Sequence, residues 1–354
     1  MNEKQLKIFA GVFVFLLVVY FISKPRQSSV NLDDFVQNIV IGVGEDDVKS
    51  IEVYKETAAE EPARMAFVKA EDRWRIPTHY NAIVQKSKMD KLIRDLLEMT
   101  GNVRSSDPKH FDSYQISDIQ GIHLLLKDEG GNTLANLIIG KRAEDYNAGF
   151  VRFADKEKVY SVDKNILSPL GVYGEVDTLT QFNVSFFIDL QAVNQDREKL
   201  ETIGLVANGK EIIIQKKDKE EEYVTADSSK AKRIVTVWNW VKKNGQEVQL
   251  DNKTVDNFFR DVAKIRTEEV VDKLGNNLTD INKSGQYGLS RPTHYIVFKS
   301  PDTAQENVLF GRQYDKDQGF YMLVQYDGLV YKVSKTTYEN IFKWVDELPQ
   351  KAAE

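Results

Sequence analysis

The chain has 354 residues, 42% of them hydrophobic and 29% charged, with 20 Gly and 8 Pro, which allows two folded domains and excludes a disordered chain. A net charge of -6 with no basic stripe excludes a nucleic-acid surface. Zero cysteines exclude thiol catalysis, disulfides, thiolate metal sites and a lipid-anchoring cysteine.

The first element is the apolar run Ile8–Ile22. Extended to Leu6–Ser23 it rises about 27 Å as a helix, near the roughly 30 Å of a bilayer core, and Lys7 can snorkel to the headgroups. Bulky Tyr20, Phe21 and Ile22 stand where a signal peptidase needs small residues, so an uncleaved anchor over 1–24 is expected. Lys4 and Lys7 before the run balance Lys24 and Arg26 after it. The free amino terminus leans the short end toward the cytoplasm. Residues 25–47 are expected to be a tether. Within it, Asn38–Val43 reads equally as a strand or as a segment packed near a membrane.

From Val48 the pattern is that of a sheet, with strands around Ile51, Met65–Val68 and Trp74–Ile76. Lys86–Met99 carries Met89, Leu92, Ile93, Leu96 and Leu97 on one helical stripe, with Ser87 as the expected cap and Gly101 as the stop. Strands resume at Ile122–Leu126, Leu134–Ile139, Phe150–Phe153 and Val159–Val162, and Asp163 is expected to cap a short helix ending at Pro169 and Gly171.

The same pattern then recurs. Asn136–Gly140 returns as Asn307–Gly311, Val159–Val162 as Val330–Val333 and His123 as His294, each 171 residues on. Gly149-Phe150 returns as Gly319-Phe320 at 170. The helix Met89–Asp95 returns as Val255–Asp261 and Trp74 as Trp240, both at 166. A first α+β repeat is thus expected over 48–175, a connector over 176–199, a second repeat over 200–348 and a frayed tail over 349–354. Thr336, with Glu339 three residues on, is the expected cap of the last helix.

This order of elements, with Tyr287-Gly288-Leu289-Ser290-Arg291-Pro292 and Val330-Tyr331-Lys332-Val333, resembles the family called domain of unknown function 4340. The first repeat departs from that pattern at Tyr114-Gln115-Ile116, which has neither Gly nor Pro, so a differently shaped loop is expected there. The resemblance implies a bacterial membrane protein of an uncharacterised family, often associated with gliding-motility-type ABC transporter components. It supplies no catalytic residues.

Candidate chemistry is sparse. His79, His110, His123 and His294 lack the i, i+2 or i, i+4 spacing of metal ligands, and the equivalent places of His123 and His294 suggest one structural slot kept in both repeats. Asp90 with Arg94 and Asp256 with Arg260 read as i, i+4 surface pairs. Gly42-Val43-Gly44 begins like a dinucleotide loop but lacks its third glycine, and no phosphate-binding or nucleophile-elbow motif occurs. Lys216–Glu222 reads as a solvated hairpin tip. The sequons at Asn183, Asn252, Asn277 and Asn282 matter only in a eukaryotic secretory route. Trp238, Trp240, Trp344, Tyr331 and Phe320 read as core, or as the lining of a groove between repeats.

The expectation is an N-terminal transmembrane helix followed by two tandem repeats of antiparallel sheet with helices on one face. No catalytic, cofactor-binding or metal residue is assigned. The expected function is that of a non-enzymatic accessory or scaffold subunit of a bacterial inner-membrane assembly, of ABC transporter or gliding type, with the bulk of the chain extracytoplasmic. Its partners would be the membrane and other membrane proteins, not nucleic acid. The competing expectation is a glycan- or peptide-binding module that uses the cleft between repeats.

Overall fold

The structure is a computed structural model that describes residues 35–56, 63–174, 176, 181–225, 229–275, 281–301 and 303–351, with backbone only at 281 and 282. The expected anchor, Asn277 and the end of the tail lie outside the described residues. Among the described residues no helix is long and apolar enough to cross a membrane.

Strands take 44% and helices 19%, and the registered strand pairs are antiparallel, so the class is α+β with the sheets dominant. The chain runs through β1 (Gln37–Asn38), β2 (Ser50–Lys55), β3 (Ala63–Ala70), β4 (Arg73–Ile76), β5 (Ala82–Ile83), α1 (Lys86–Leu97), β6 (Thr100–Ser105) and α2 (Phe111–Tyr114). A meander follows: β7 (Ile122–Lys127), β8 (Thr133–Arg142), β9 (Gly149–Phe153) and β10 (Val159–Val162). After β11 (Gln191–Asn194) come β12 (Thr202–Ala207), β13 (Lys210–Val224), β14 (Lys230–Val241), β15 (Glu247–Gln249), α3 (Asn252–Val262), β16 (Lys264–Arg266), β17 (Glu269–Lys273) and α4 (Ile281–Gln286). A second meander, β18 (His294–Lys299), β19 (Glu306–Asp315), β20 (Gly319–Val324) and β21 (Leu329–Ser334), leads into α5 (Lys335–Phe342) and α6 (Trp344–Lys351).

One sheet is ordered β1-β6-β10-β9-β8-β7-β2-β3-β4-β5 and the other, read from its far edge, β17-β21-β20-β19-β18-β12-β13-β14-β15. Leaving β1 aside, the two orders coincide strand for strand. Strands β11 and β16 form a separate pair.

Hydrogen bonding sets the residue-level match and corrects three sequence correspondences. Val84 N–H donates to Trp74 O and Leu250 N–H to Trp238 O, both at 2.9 Å, so Trp74 matches Trp238 and not Trp240. The extra pair Val241↔Glu247 lengthens the second hairpin. His123 lies opposite Ile138, whereas Tyr295 lies opposite Leu309, so His123 matches Tyr295 and His294 takes the place of Ile122. The two histidines therefore face opposite sides of their sheets. Phe150 matches Tyr321, because they lie opposite Ser161 and Lys332, the third residues of Val159–Val162 and Val330–Val333, and because β19 carries one more bulge than β8. Constant spacing misled in each case because bulges and hairpin ends, as well as loops, absorb single residues.

By contact density the chain divides into one unit of Met1–Val48, Val53–Arg64 and Leu92–Gln181, and another of Lys49–Glu52, Met65–Lys91 and Phe182–Glu354. The first has a core of Ile116, Ile138 and Val159 beneath Phe111 and Tyr114. In the second, Leu289, Leu309, Leu323 and Val330 form the corresponding cluster, with Tyr287 and Tyr321 against it.

In the second unit a helix covers one face of the meander and a loop the other. Phe342 of α5 packs on Phe310 at 4.9 Å, while Leu289, just after α4, packs on Leu309. Leu309 and Phe310 are adjacent on β19 and so point to opposite sides. The meander is apolar on both sides, and the loop after α4, through Tyr287 and Leu289, covers the side that α5 leaves bare.

Local signals shifted too. Asp251 caps α3, accepting from Thr254 N–H at 3.0 Å, and Val255, Phe258, Phe259 and Val262 form its buried stripe. Ser334, not Thr336, caps α5 through Thr337 N–H at 3.1 Å. Ser87 lies inside α1, and Gly101 pairs within β6. Asp163 accepts from Thr100 N–H at 2.8 Å, and turns replace the helix expected after it.

Candidate interaction surface

The clearest local difference between the matched sheets is at one hairpin. Strands β3 and β4 end at Ala70↔Arg73, leaving the two-residue turn Glu71-Asp72. Their counterparts β13 and β14 pair on from Lys216↔Trp238, the match of Lys69↔Trp74, to Val224↔Lys230. From lysine to tryptophan is 22 residues in the second case and 5 in the first, a 17-residue extension. Pairing with β12 reaches only Gln215, and pairing with β15 only Asn239. Among the described residues no further strand pairs with the ribbon beyond on either edge, and it projects about 27 Å at roughly 3.4 Å per residue.

Cross-strand charge pairs line this arm. Lys232 meets Glu220 at 2.9 Å, Arg233 meets Glu221 at 2.7 Å, and Thr236 donates to Asp218 at 3.0 Å. Lys217 bonds Glu247 and Lys219 bonds Gln249 at 2.8 Å, bracing the root. The Lys217 hydrogen bond holds the Glu247 carboxyl below its ordinary pKa. Thr225 and Ser229 close the tip, so Lys216–Glu222 forms the shaft and not the tip. Among these charges, Val224 is 68% and Ile234 76% exposed, and Arg233 lies over the Tyr223 ring. A lone two-stranded ribbon is marginally stable in water, and alternating charges blunt strand addition at its edges. What the arm offers a partner is side chains: ion pairs that can be exchanged, and isolated apolar groups.

Other polar groups are tied down internally. Lys55 is fully buried and donates to the carbonyls of Ile119 at 2.9 Å and Gln120 at 2.8 Å. Buried Arg152, which matches Leu323, donates to the carbonyls of Ile116, Phe153, Ala154 and Lys156 and bonds Asp118. His123 stacks on Tyr54 at 4.5 Å and shares a hydrogen bond with Asp118 O through Nε2 at 2.8 Å. Asp272 bonds Tyr287 Oη at 2.9 Å and Lys283 Nζ at 2.8 Å. Burial works against the Asp272 charge, but Lys283, the Lys273 N–H and Tyr287 together hold its pKa low. Burial first and then Asp272 push the Tyr287 phenol up to about 12, so it does not serve as a base near neutrality. Each arrangement pins a loop to a strand.

The residues singled out in the sequence do not converge. His79 packs edge-on to Tyr80, and His110 ends the turn Pro108–His110. Among the described residues no group of three His, Cys, Asp or Glu could hold a metal. Asp90 pairs with Lys86 at 2.6 Å, Asp256 with Arg197 at 2.7 Å, and Arg260 with Asp261 at 3.0 Å, so neither expected i, i+4 pair forms. Gly44 opens a single turn closed by Asp47. Trp238 packs on Phe259 and Trp344 on Phe258, both core contacts, while Phe320 stacks on Tyr338 with both rings half-buried; Trp240 is half-buried near Lys242.

Sheet order and arm together define an antiparallel α+β protein with two sheets of matching topology, one of them extended by a ribbon. The chain belongs to the family described as Domain of unknown function (DUF4340), whose family model matches residues 74–273, more than half of its length. No curated protein and no solved structure matches the chain.

Proposed function

We propose that the chain is a non-enzymatic, membrane-anchored accessory or scaffold subunit of a bacterial membrane assembly, of ABC-type transport or gliding-associated kind. In this reading the two matching sheets descend from one duplicated α+β unit. The run Leu6–Ser23 anchors them, and the body lies outside the cytoplasmic membrane. The observation that carries the reading is the arm. Duplicates that differ by a 17-residue ribbon at one hairpin have diverged in what they present to solvent. The ribbon lengthens no core, since residues 217–224 are exposed.

The test compares the full chain with a variant in which Asp218–Thr236 is replaced by the Glu71-Asp72 turn. After extraction in mild detergent the full chain is expected to co-purify with a membrane protein. The trimmed chain is expected to keep its circular dichroism and lose that partner. Recovery of the full chain alone, or retention of the partner by the trimmed chain, overturns the role given to the arm.

A further inference from the structure

Phe35–Ile41 is held at its centre and exposed at its ends. Gln37 and Asn38 pair with Gly101 and Thr100 on β6, and Ile39 N–H donates to Met99 O at 3.0 Å. Ile39 and Val40 are buried. On either side, Phe35 is 56%, Val36 67% and Ile41 75% exposed. Three of the twelve exposed large hydrophobic residues among those described fall in these seven positions. A flexible end would expose apolar groups by chance, but here the backbone between them is fixed to a sheet edge.

The preceding chain indicates what covers them. The apolar run ends at Ser23, twelve residues before Phe35. Twelve residues span about 40 Å when extended and about 19 Å root-mean-square as a flexible coil. A surface that holds the run is therefore presented to Phe35, Val36 and Ile41 at a high effective concentration, and a weak contact is populated without new affinity. Charge points to the kind of surface. Asp33 and Asp34 precede the patch, and Glu45, Asp46 and Asp47 form an exposed acidic turn after it. Attraction to anionic headgroups is excluded as the driving force, leaving apolar insertion at the interface.

We propose that Phe35, Val36 and Ile41 form a foot that inserts into the lipid interface beside the anchor and so restricts how the body stands on the membrane. This rests on the anchored reading above. The foot favours zwitterionic over anionic lipid, and its contact withstands salt.

The chain has no cysteine, so Val36→Cys, Ile41→Cys and, as an equally exposed reference on the arm, Ile234→Cys each give a single labelling site. Each full-length variant, spin-labelled, is placed in phosphatidylcholine nanodiscs, and accessibility to oxygen and to a water-soluble nickel chelate is read by power saturation. The expected result is lipid-like accessibility at 36 and 41, unchanged in high salt and reduced by added phosphatidylglycerol, with water-like accessibility at 234. Water-like labels at 36 and 41 in a chain that has entered the discs overturn the foot and leave the anchor standing. Protection seen only in native membranes, and not in discs, also overturns it, in favour of a protein partner. A chain that fails to enter the discs overturns the anchored reading, and the foot with it.

Discussion

Gln115 and Gly288 occupy the same left-handed turn in the two matched sheets, at φ 52° and 73°. Both follow a tyrosine, Tyr114 or Tyr287, whose carbonyl sits against a glycine within a meander strand, Gly140 of β8 or Gly311 of β19, too close for any Cβ. The turn that was expected to differ is therefore conserved in shape. Glycine adopts that φ freely, whereas an L residue pays about 1–2 kcal/mol. The buried Gln115 Oε1 also lacks a hydrogen-bond partner. Gln115→Gly should thus raise stability by up to about 1 kcal/mol. Gly288→Ala, whose new Cβ would stand 2.6 Å from Arg312 N, should cost about 1–3 kcal/mol. Urea denaturation of both variants checks the pair, and equal effects of the two would refute the shared turn.

Arg152 stands where the other sheet has Leu323 and serves four backbone carbonyls. Arg152→Leu copies the apolar counterpart but strands those acceptors. It should destabilise by about 2 kcal/mol or more, although it places a hydrophobic residue in a buried position. A urea midpoint equal to that of the unmodified chain would show that the carbonyls find water instead.

Glu306 has its carboxyl pKa raised by burial, opposed by the hydrogen bond from Gln195 at 2.6 Å, with the Asp327 carboxylate adding to the rise. A carboxyl whose folded pKa exceeds its unfolded one contributes stability that is fully present below the unfolded value. That contribution is lost as pH rises through the folded value. Glu306→Gln keeps an acceptor for Gln195 and removes the charge. Its melting temperature should exceed that of the unmodified chain at pH 7, and the difference should vanish at acid pH. A constant difference across the range would rule out ionisation as the cause.

His294 packs on Phe342 at 4.8 Å, and burial holds its pKa below the ordinary 6.5. The unfolded chain then binds the proton more readily, so this contribution to stability is present above the unfolded pKa and is lost as pH falls below it. His294→Ile, which installs the residue found at the matching Ile122, should flatten that part of the pH–stability curve. Thermal melts between neutral and mildly acid pH test it, and a curve with unchanged slope would place the titration elsewhere.

Parts of this architecture were readable in advance and parts were not, for definite reasons. The stripe Met89, Leu92, Ile93 and Leu96 and the alternation around Ile51 and Val53 announce a helix and a strand, because burial on one face imposes its period on the residues. The arm was barely visible. Residues 216–222 form a strand with no apolar member, held by its partner strand and ion pairs, so there is no hydrophobic period to detect. The only trace was the mixed-charge run Lys216–Glu222, which reads as a hairpin tip.

By itself, the sequence determined the composition-limited class, the order of the elements and the recurrence of that order, since these depend on local periodicity and turn chemistry. Only tertiary structure decided that His123 and His294 face opposite ways, that Trp74 answers to Trp238, and that Ser334 caps α5. Side chains alternate along a strand, so one bulged residue reverses every face beyond it, and a bulge has no hydrophobic signature. Hydrogen-bond register between strands far apart in sequence is fixed by what packs above and below the sheet. That information becomes physical only once the chain has folded.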